Sequence, residues 1–159
     1  MSAVPQPDSA EAVLQVRELS VDIATPQGRL RAVREVSFAV RRGETLCIVG
    51  ESGCGKSITS LAVMSLLPAA ATRRAQALSL LGEDLLKATG KRVNELRGNR
   101  MAMIFQEPMT ALNPAYTIGN QLMEPYLHHK GATPAQARER AIELLGKVGI
   151  ASAAERLGQ

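Results

Sequence analysis

Gly50-Glu51-Ser52-Gly53-Cys54-Gly55-Lys56-Ser57 fits the pattern G-x-x-x-x-G-K-[S/T] of a phosphate-binding loop. With glycine and lysine each near 7% of residues, the chance of such a match in a chain of this length is roughly 0.5%. Glycines let the backbone curl so that successive amides can face phosphate oxygens, and a following helix adds the positive end of its dipole. All eight residues, Gly50, Glu51, Ser52, Gly53, Cys54, Gly55, Lys56 and Ser57, are therefore candidate ligand contacts. Lys56 is expected on the β- and γ-phosphates and the Ser57 hydroxyl on Mg²⁺. The flanks suit the motif. Thr45 to Val49 is almost continuously apolar, which predicts a strand buried on both faces, and Lys56 to Leu67 reads as a helix stopped by Pro68.

Working outward, Leu19, Val21 and Ile23 alternate as a half-buried strand should, with Leu14 and Val16 before them. Thr25-Pro26-Gln27-Gly28 is a turn signal and Val36 to Val40 a second alternating run, so an N-terminal antiparallel β layer is expected. Leu78 to Leu86 suggests a short strand, a turn at Gly82 and a helical start; Met101 to Phe105 reads as a second buried strand. Asn113-Pro114 marks a turn, and Ile118 to Lys130 a helix that Pro125 should kink or break. Thr133-Pro134-Ala135-Gln136 carries a capping box with proline at the first helical position. Apolar residues at 137, 141, 144, 145 and 148 mark one face of that helix, and Glu143 with Lys147 is an i,i+4 pair. The expected division is a flexible tail over 1–11, a β layer and phosphate-loop core over 12–105, and a helical segment over 106–159.

Composition narrows the classes. A chain of 159 residues fits one domain, and 45% apolar with 21% charged residues is globular rather than disordered. The net charge of +4 tolerates an anionic ligand but is too small to argue for nucleic acid. Phe38, Phe105, Tyr116 and Tyr126 are the only aromatic residues, so no single-strand stacking platform, and no nucleic-acid partner, is expected. Cys47 and Cys54 make neither a disulfide framework nor a four-ligand zinc site. The opening MSAVPQPDSAEA shows no secretory signal, and neither Ser57–Thr72 nor Pro108–Met123, the longest uncharged runs, is long and apolar enough to span a membrane, so the chain reads as soluble.

The loop alone does not choose among nucleotide chemistries. A guanine-reading N-K-x-D sequence is absent. The metal-holding acid usual at the end of another buried strand is missing too: Met101–Phe105 runs into Gln106-Glu107, and Glu83-Asp84 follows a glycine as in a hairpin. A small phosphotransferase would need an arginine-bearing lid, for which Arg97 and Arg100 are the candidates.

Two longer stretches, AVREVSFAVRRGETLCIVGESGCGKSITSLAVMSLLP and LRGNRMAMIFQEPMTALNPAYTIGNQL, resemble the ATP-binding subunits of ABC transporters in the oligopeptide and dipeptide importer branch. The resemblance runs from Leu14 to Gln159. It implies an α/β fold of the P-loop NTPase (ABC ATPase) type, incomplete here, with an N-terminal antiparallel β layer and the start of an α-helical subdomain. It also implies ATP and Mg²⁺ as ligands and ATP hydrolysis coupled to peptide import, with nickel, glutathione or peptide-antibiotic import, or nucleotide binding without hydrolysis, as alternatives. By the same resemblance Gln106 is the Q-loop glutamine that contacts Mg²⁺ and the attacking water, and Glu107 to Leu112 helps form a docking groove. The implied partners are transmembrane permease subunits, a second ATP-binding subunit and, indirectly, a substrate-binding protein, at the cytoplasmic face of the inner membrane.

Three departures from the family pattern stand out. Ile23 occupies the position where the family usually stacks an aromatic residue on adenine, so apolar packing without a π face is expected there. Cys54 replaces the more frequent serine inside the loop. The signature sequence, the Walker B aspartate, the catalytic glutamate and the switch histidine are not found before Gln159, and His128-His129, which precede the signature region, read as a solvated pair. The chain is thus expected to be an N-terminal portion, inactive alone.

Overall fold

The computed structural model describes residues 12–106 and 111–159; the expected tail over 1–11 lies outside them. The chain divides into two compact units, Met1–Asn94 and Glu95–Gln159.

The first unit is built on one long hairpin, β1 (Ala12–Thr25) and β2 (Gly28–Arg41). Both strands run beyond the alternating cores at 14–23 and 36–40 because their pairing continues to the Pro26-Gln27 turn, where the Thr25 hydroxyl donates to the Gly28 carbonyl at 2.8 Å. β1 is central: β4 (Ala77–Leu80) pairs antiparallel with its first half and β3 (Ala71–Arg74) with its second, and β5 (Glu83–Asp84) adds to β4. Bulges at Glu18 (φ 50°) and Glu35 (φ 47°) free two backbone amides from the ladder. Each is caught by a serine of the other strand: Glu18 N–H donates to Ser37 Oγ at 2.8 Å and Glu35 N–H to Ser20 Oγ at 3.0 Å. Val16, Leu19, Val21, Val33, Leu78 and Leu85 are buried.

Three expectations fail here. Residues 45–49 form no strand, and Leu46, Ile48 and Val49 are exposed, Val49 by 88%. Met101–Phe105 contributes only an isolated parallel bridge from Met101 to Arg97, with Ile104 98% exposed. The reason is shared: a doubly buried parallel strand needs a neighbour on each side, and among the described residues every named strand pairing is antiparallel and none reaches these stretches. The helical start expected near residue 86 is instead a hairpin, whose Leu81 (φ 52°) and Gly82 (φ 82°) both take left-handed conformations as a type I′ turn requires.

Helix α1 (Lys56–Val63) ends a turn earlier than its apolar pattern suggests. Ser65 (φ 55°) leaves the helix in the left-handed region, with Leu66 N–H bonding the Leu61 carbonyl at 2.8 Å and Ser65 N–H the Ala62 carbonyl at 3.2 Å. The half-buried Arg73 guanidinium donates to the Ala62 carbonyl, to Ser65 Oγ and to the Leu85 carbonyl, so β3 clamps that helix end; burial lowers its pKa. Helix α2 (Gly90–Leu96) follows, with Val93 and Leu96 buried.

In the second unit α3 (Ile118–Lys130) packs on α4 (Pro134–Lys147), and α5 (Ala153–Arg156) follows. Thr117 caps α3, which continues through Pro125 and ends at Gly131 in the left-handed region. The capping box of α4 is formed: Thr133 Oγ1 accepts from Gln136 N–H at 3.3 Å and Gln136 Oε1 from Thr133 N–H at 2.9 Å. Ala137 and Ala141 of its expected apolar face are buried, whereas Leu144 and Val148 remain exposed.

Candidate phosphate-binding site

The loop after β2 turns at Arg42-Gly43, where Arg41 N–H donates to the Glu44 carboxylate at 2.7 Å, and reaches α1 through Gly50–Gly55. Gly55 is the helix cap, at φ 91°. A side chain is excluded there twice over, because a Cβ would also stand 2.5 Å from the Ala32 carbonyl oxygen of β2. The hairpin therefore seats the loop: Ala32 and Val33 touch the point where the chain enters α1.

No side chain caps α1, and its first turn holds no acidic residue, so its opening amides are left for an external acceptor. Thr59 is buried and donates its hydroxyl to the Gly55 carbonyl at 3.0 Å, pinning the cap from within the helix. Lys56 folds back onto the loop, its ammonium donating to the Gly50 carbonyl at 2.8 Å and the Glu51 carbonyl at 2.7 Å, with Cys54 Sγ at 3.4 Å. One ammonium thus ties both ends of the turn. Cys54 Sγ lies across Gly50, where a Cβ would come within 2.7 Å of it. Glu51, Ser52, Gly53 and Ser57 are exposed, leaving the Ser57 hydroxyl accessible to a cation.

This donor set fits a polyphosphate with a hard cation: open amides at a helix start, with one ammonium and one exposed hydroxyl beside them. Ile23 is half-buried on β1, two residues beyond Val21 on the same strand face, and pairs with Leu30, which is 55% exposed. The pair makes a small apolar surface on the hairpin that carries the loop. Gln106 belongs to the second unit, exposed in a bend after residues 102–105, which form no regular element. Of the expected groove-forming residues, 107–110 lie outside the described residues, and Ala111 and Leu112 are exposed. His128 and His129, in the last turn of α3, meet edge to face at 4.8 Å.

The sequence profile described as "ABC transporter" matches residues 33–159, from β2 through the loop to the last helix. The chain belongs to the ABC transporter family. The resemblance read from the two motif stretches is borne out, and so is an ABC ATPase domain carrying an antiparallel sheet and helices. Among similar proteins, the Dipeptide transport ATP-binding protein DppD of Escherichia coli (strain K12) is 45% identical over 146 residues, 92% of this chain and 45% of the relative. DppD of Bacillus subtilis (strain 168) is 45% identical over 150 residues, 94% of this chain and 45% of that one. The Oligopeptide transport ATP-binding protein OppD of Salmonella typhimurium is 42% identical over 156 residues, 98% of this chain and 46% of the relative. The chain therefore spans about half the length of the curated relatives it matches.

Two groupings escaped the sequence reading: the Arg73 clamp on α1, and a buried Asp22 among three arginines. Both depend on strand register that brings residues 71–74 beside β1, for which residues 69–77 give little local signal.

Proposed function

We infer that this chain is the nucleotide-binding part of an ABC-type ATPase subunit that energises import of di- or oligopeptides. The observation carrying this reading is the open, lysine-closed loop at 50–57, in a family member whose relatives are named as dipeptide and oligopeptide transport ATP-binding proteins. ATP is the nucleotide and Mg²⁺ the cation. The amides of Gly53, Gly55, Lys56 and Ser57 donate to the phosphate oxygens, Lys56 exchanges loop carbonyls for phosphate, and Ser57 offers its hydroxyl to the cation. Bound Mg-ATP supplies the phosphoanhydride that hydrolysis cleaves. Ile23 packs against the adenine without aromatic stacking. Gln106 is a positioning residue for the attacking water, since an amide can accept from water and offer its oxygen to a hard cation.

The partners are a pair of permease subunits, a second ATP-binding subunit and, through the permease, a substrate-binding protein. The subunit works peripherally at the cytoplasmic membrane face, and among the described residues no helix is long and apolar enough to cross a bilayer. A cleft of about 780 Å³ along α3, lined by Tyr116, Met123 and Leu127 with polar Asn113, Asn120 and His128, supports docking of a permease segment on the helical unit.

A fluorescent ATP analogue with Mg²⁺ tests the reading. Lys56→Ala should abolish saturable binding, whereas His128→Ala should leave it unchanged. Equal affinity in the two variants would remove the loop from the account.

A further inference from the structure

Among the described residues Asp22 is the one buried charged side chain, and its carboxylate serves three arginines. Arg74 Nη2 donates to its Oδ2, while Arg29 Nη1 stands 3.9 Å from Oδ2 and Arg31 Nε 4.0 Å from Oδ1. The register explains the gathering. Asp22 pairs with Arg31 on β2 and with Thr72 on β3, Ala24 pairs with Arg29 and Ser20 with Arg74, so the arginines flank β1 from both sides on one face. That face is opposite to Val21, whose partner Val33 reaches the phosphate loop.

Charge is not balanced there. Three guanidiniums and one carboxylate, +3 − 1, leave +2 on a patch whose arginine side chains are 69%, 67% and 61% exposed. Arg29 and Arg31 lie beyond hydrogen-bonding distance of Asp22, so their forks keep donors for another acceptor. The buried carboxylate holds together cations that would otherwise repel one another, without saturating them.

We propose that Arg29, Arg31 and Arg74, gathered by Asp22, form a second anion site for a doubly charged phosphoryl group, distinct from the loop at 50–57. Guanidinium forks match phosphate oxygens in pairs, and a dianion cancels the residual charge. The group could belong to a free phosphate compound or to a phosphomonoester lipid head.

The test uses the full chain carrying Lys56→Ala, so that the loop does not contribute. Pyrophosphate titrated by calorimetry, and co-sedimentation with phosphatidylcholine vesicles with and without phosphatidic acid, read the two sources. Binding of either probe is expected, weakened about tenfold or more by Arg29→Gln with Arg31→Gln and unchanged by Arg34→Gln on the same strand. Pyrophosphate without vesicle capture identifies a free anion; capture dependent on phosphatidic acid identifies the lipid. Failure of both probes to bind, or binding indifferent to the arginine pair, overturns the proposal. A failure of the loop reading looks different: Lys56→Ala would then leave Mg-ATP affinity intact while the arginine substitutions altered pyrophosphate alone.

Discussion

Replacing Gly55 with alanine separates two roles that glycine plays at the entrance to α1. The φ of 91° places a Cβ in the left-handed region, at about 1–2 kcal/mol for a non-glycine residue. The same Cβ would stand 2.5 Å from the Ala32 carbonyl, so the loop must also lift from β2, adding about 1–3 kcal/mol by analogy with overpacking. Gly53 supplies the control: its φ is 80°, but a Cβ there meets nothing within 4 Å, so Gly53→Ala carries only the conformational cost. Urea unfolding should therefore show Gly55→Ala less stable than Gly53→Ala by about 1–3 kcal/mol. Because the displaced segment carries the opening amides of α1, Gly55→Ala should also weaken Mg-ATP binding more than Gly53→Ala does. Equal unfolding midpoints for the two variants would refute the seating of the loop on β2, as would undiminished nucleotide affinity in Gly55→Ala.

Leu81→Asn, at a left-handed turn position that leaves leucine 48% exposed, should raise stability by about 1 kcal/mol in thermal unfolding. Glu143 is held down from 4.5 to about 2 by hydrogen bonds from Lys147 and then Arg140. Its depressed folded pKa means a contribution present above about pH 4.5 and lost as pH falls towards 2, so Glu143→Gln should flatten that part of the stability–pH profile, an effect that salt reduces. Apolar side chains at Ile48, Val49 and Ile104 face solvent, so the chain should bind a hydrophobic dye in its folded state, and Val49→Thr with Ile104→Thr should lower that signal while far-ultraviolet dichroism is retained.

What could be read in advance follows from the range over which each signal acts. The capping box at Thr133 and Gln136 and the extent of α3 from Ile118 to Lys130 are encoded within a few residues, and their local geometry matches. The stretch at 45–49 has strand composition, but a strand exists only through its neighbours, and no described residue pairs with it. The same dependence on distant partners hid Asp22: nothing in Ser20-Val21-Asp22-Ile23 announces that residues 29, 31 and 74 will enclose it. Ser65 and Leu81 misled for another reason, since each holds a left-handed conformation without being glycine or asparagine.

The central claim is that the turn between Gly50 and Ser57 grips a nucleotide's phosphates. A crystal structure of the chain with Mg²⁺ and a non-hydrolysable ATP analogue tests it most directly. The account predicts phosphate oxygens on the amides leading into α1, with the Lys56 ammonium drawn from the Gly50 and Glu51 carbonyls to the phosphates. Nucleotide bound elsewhere, with Lys56 still on those two carbonyls, would contradict it.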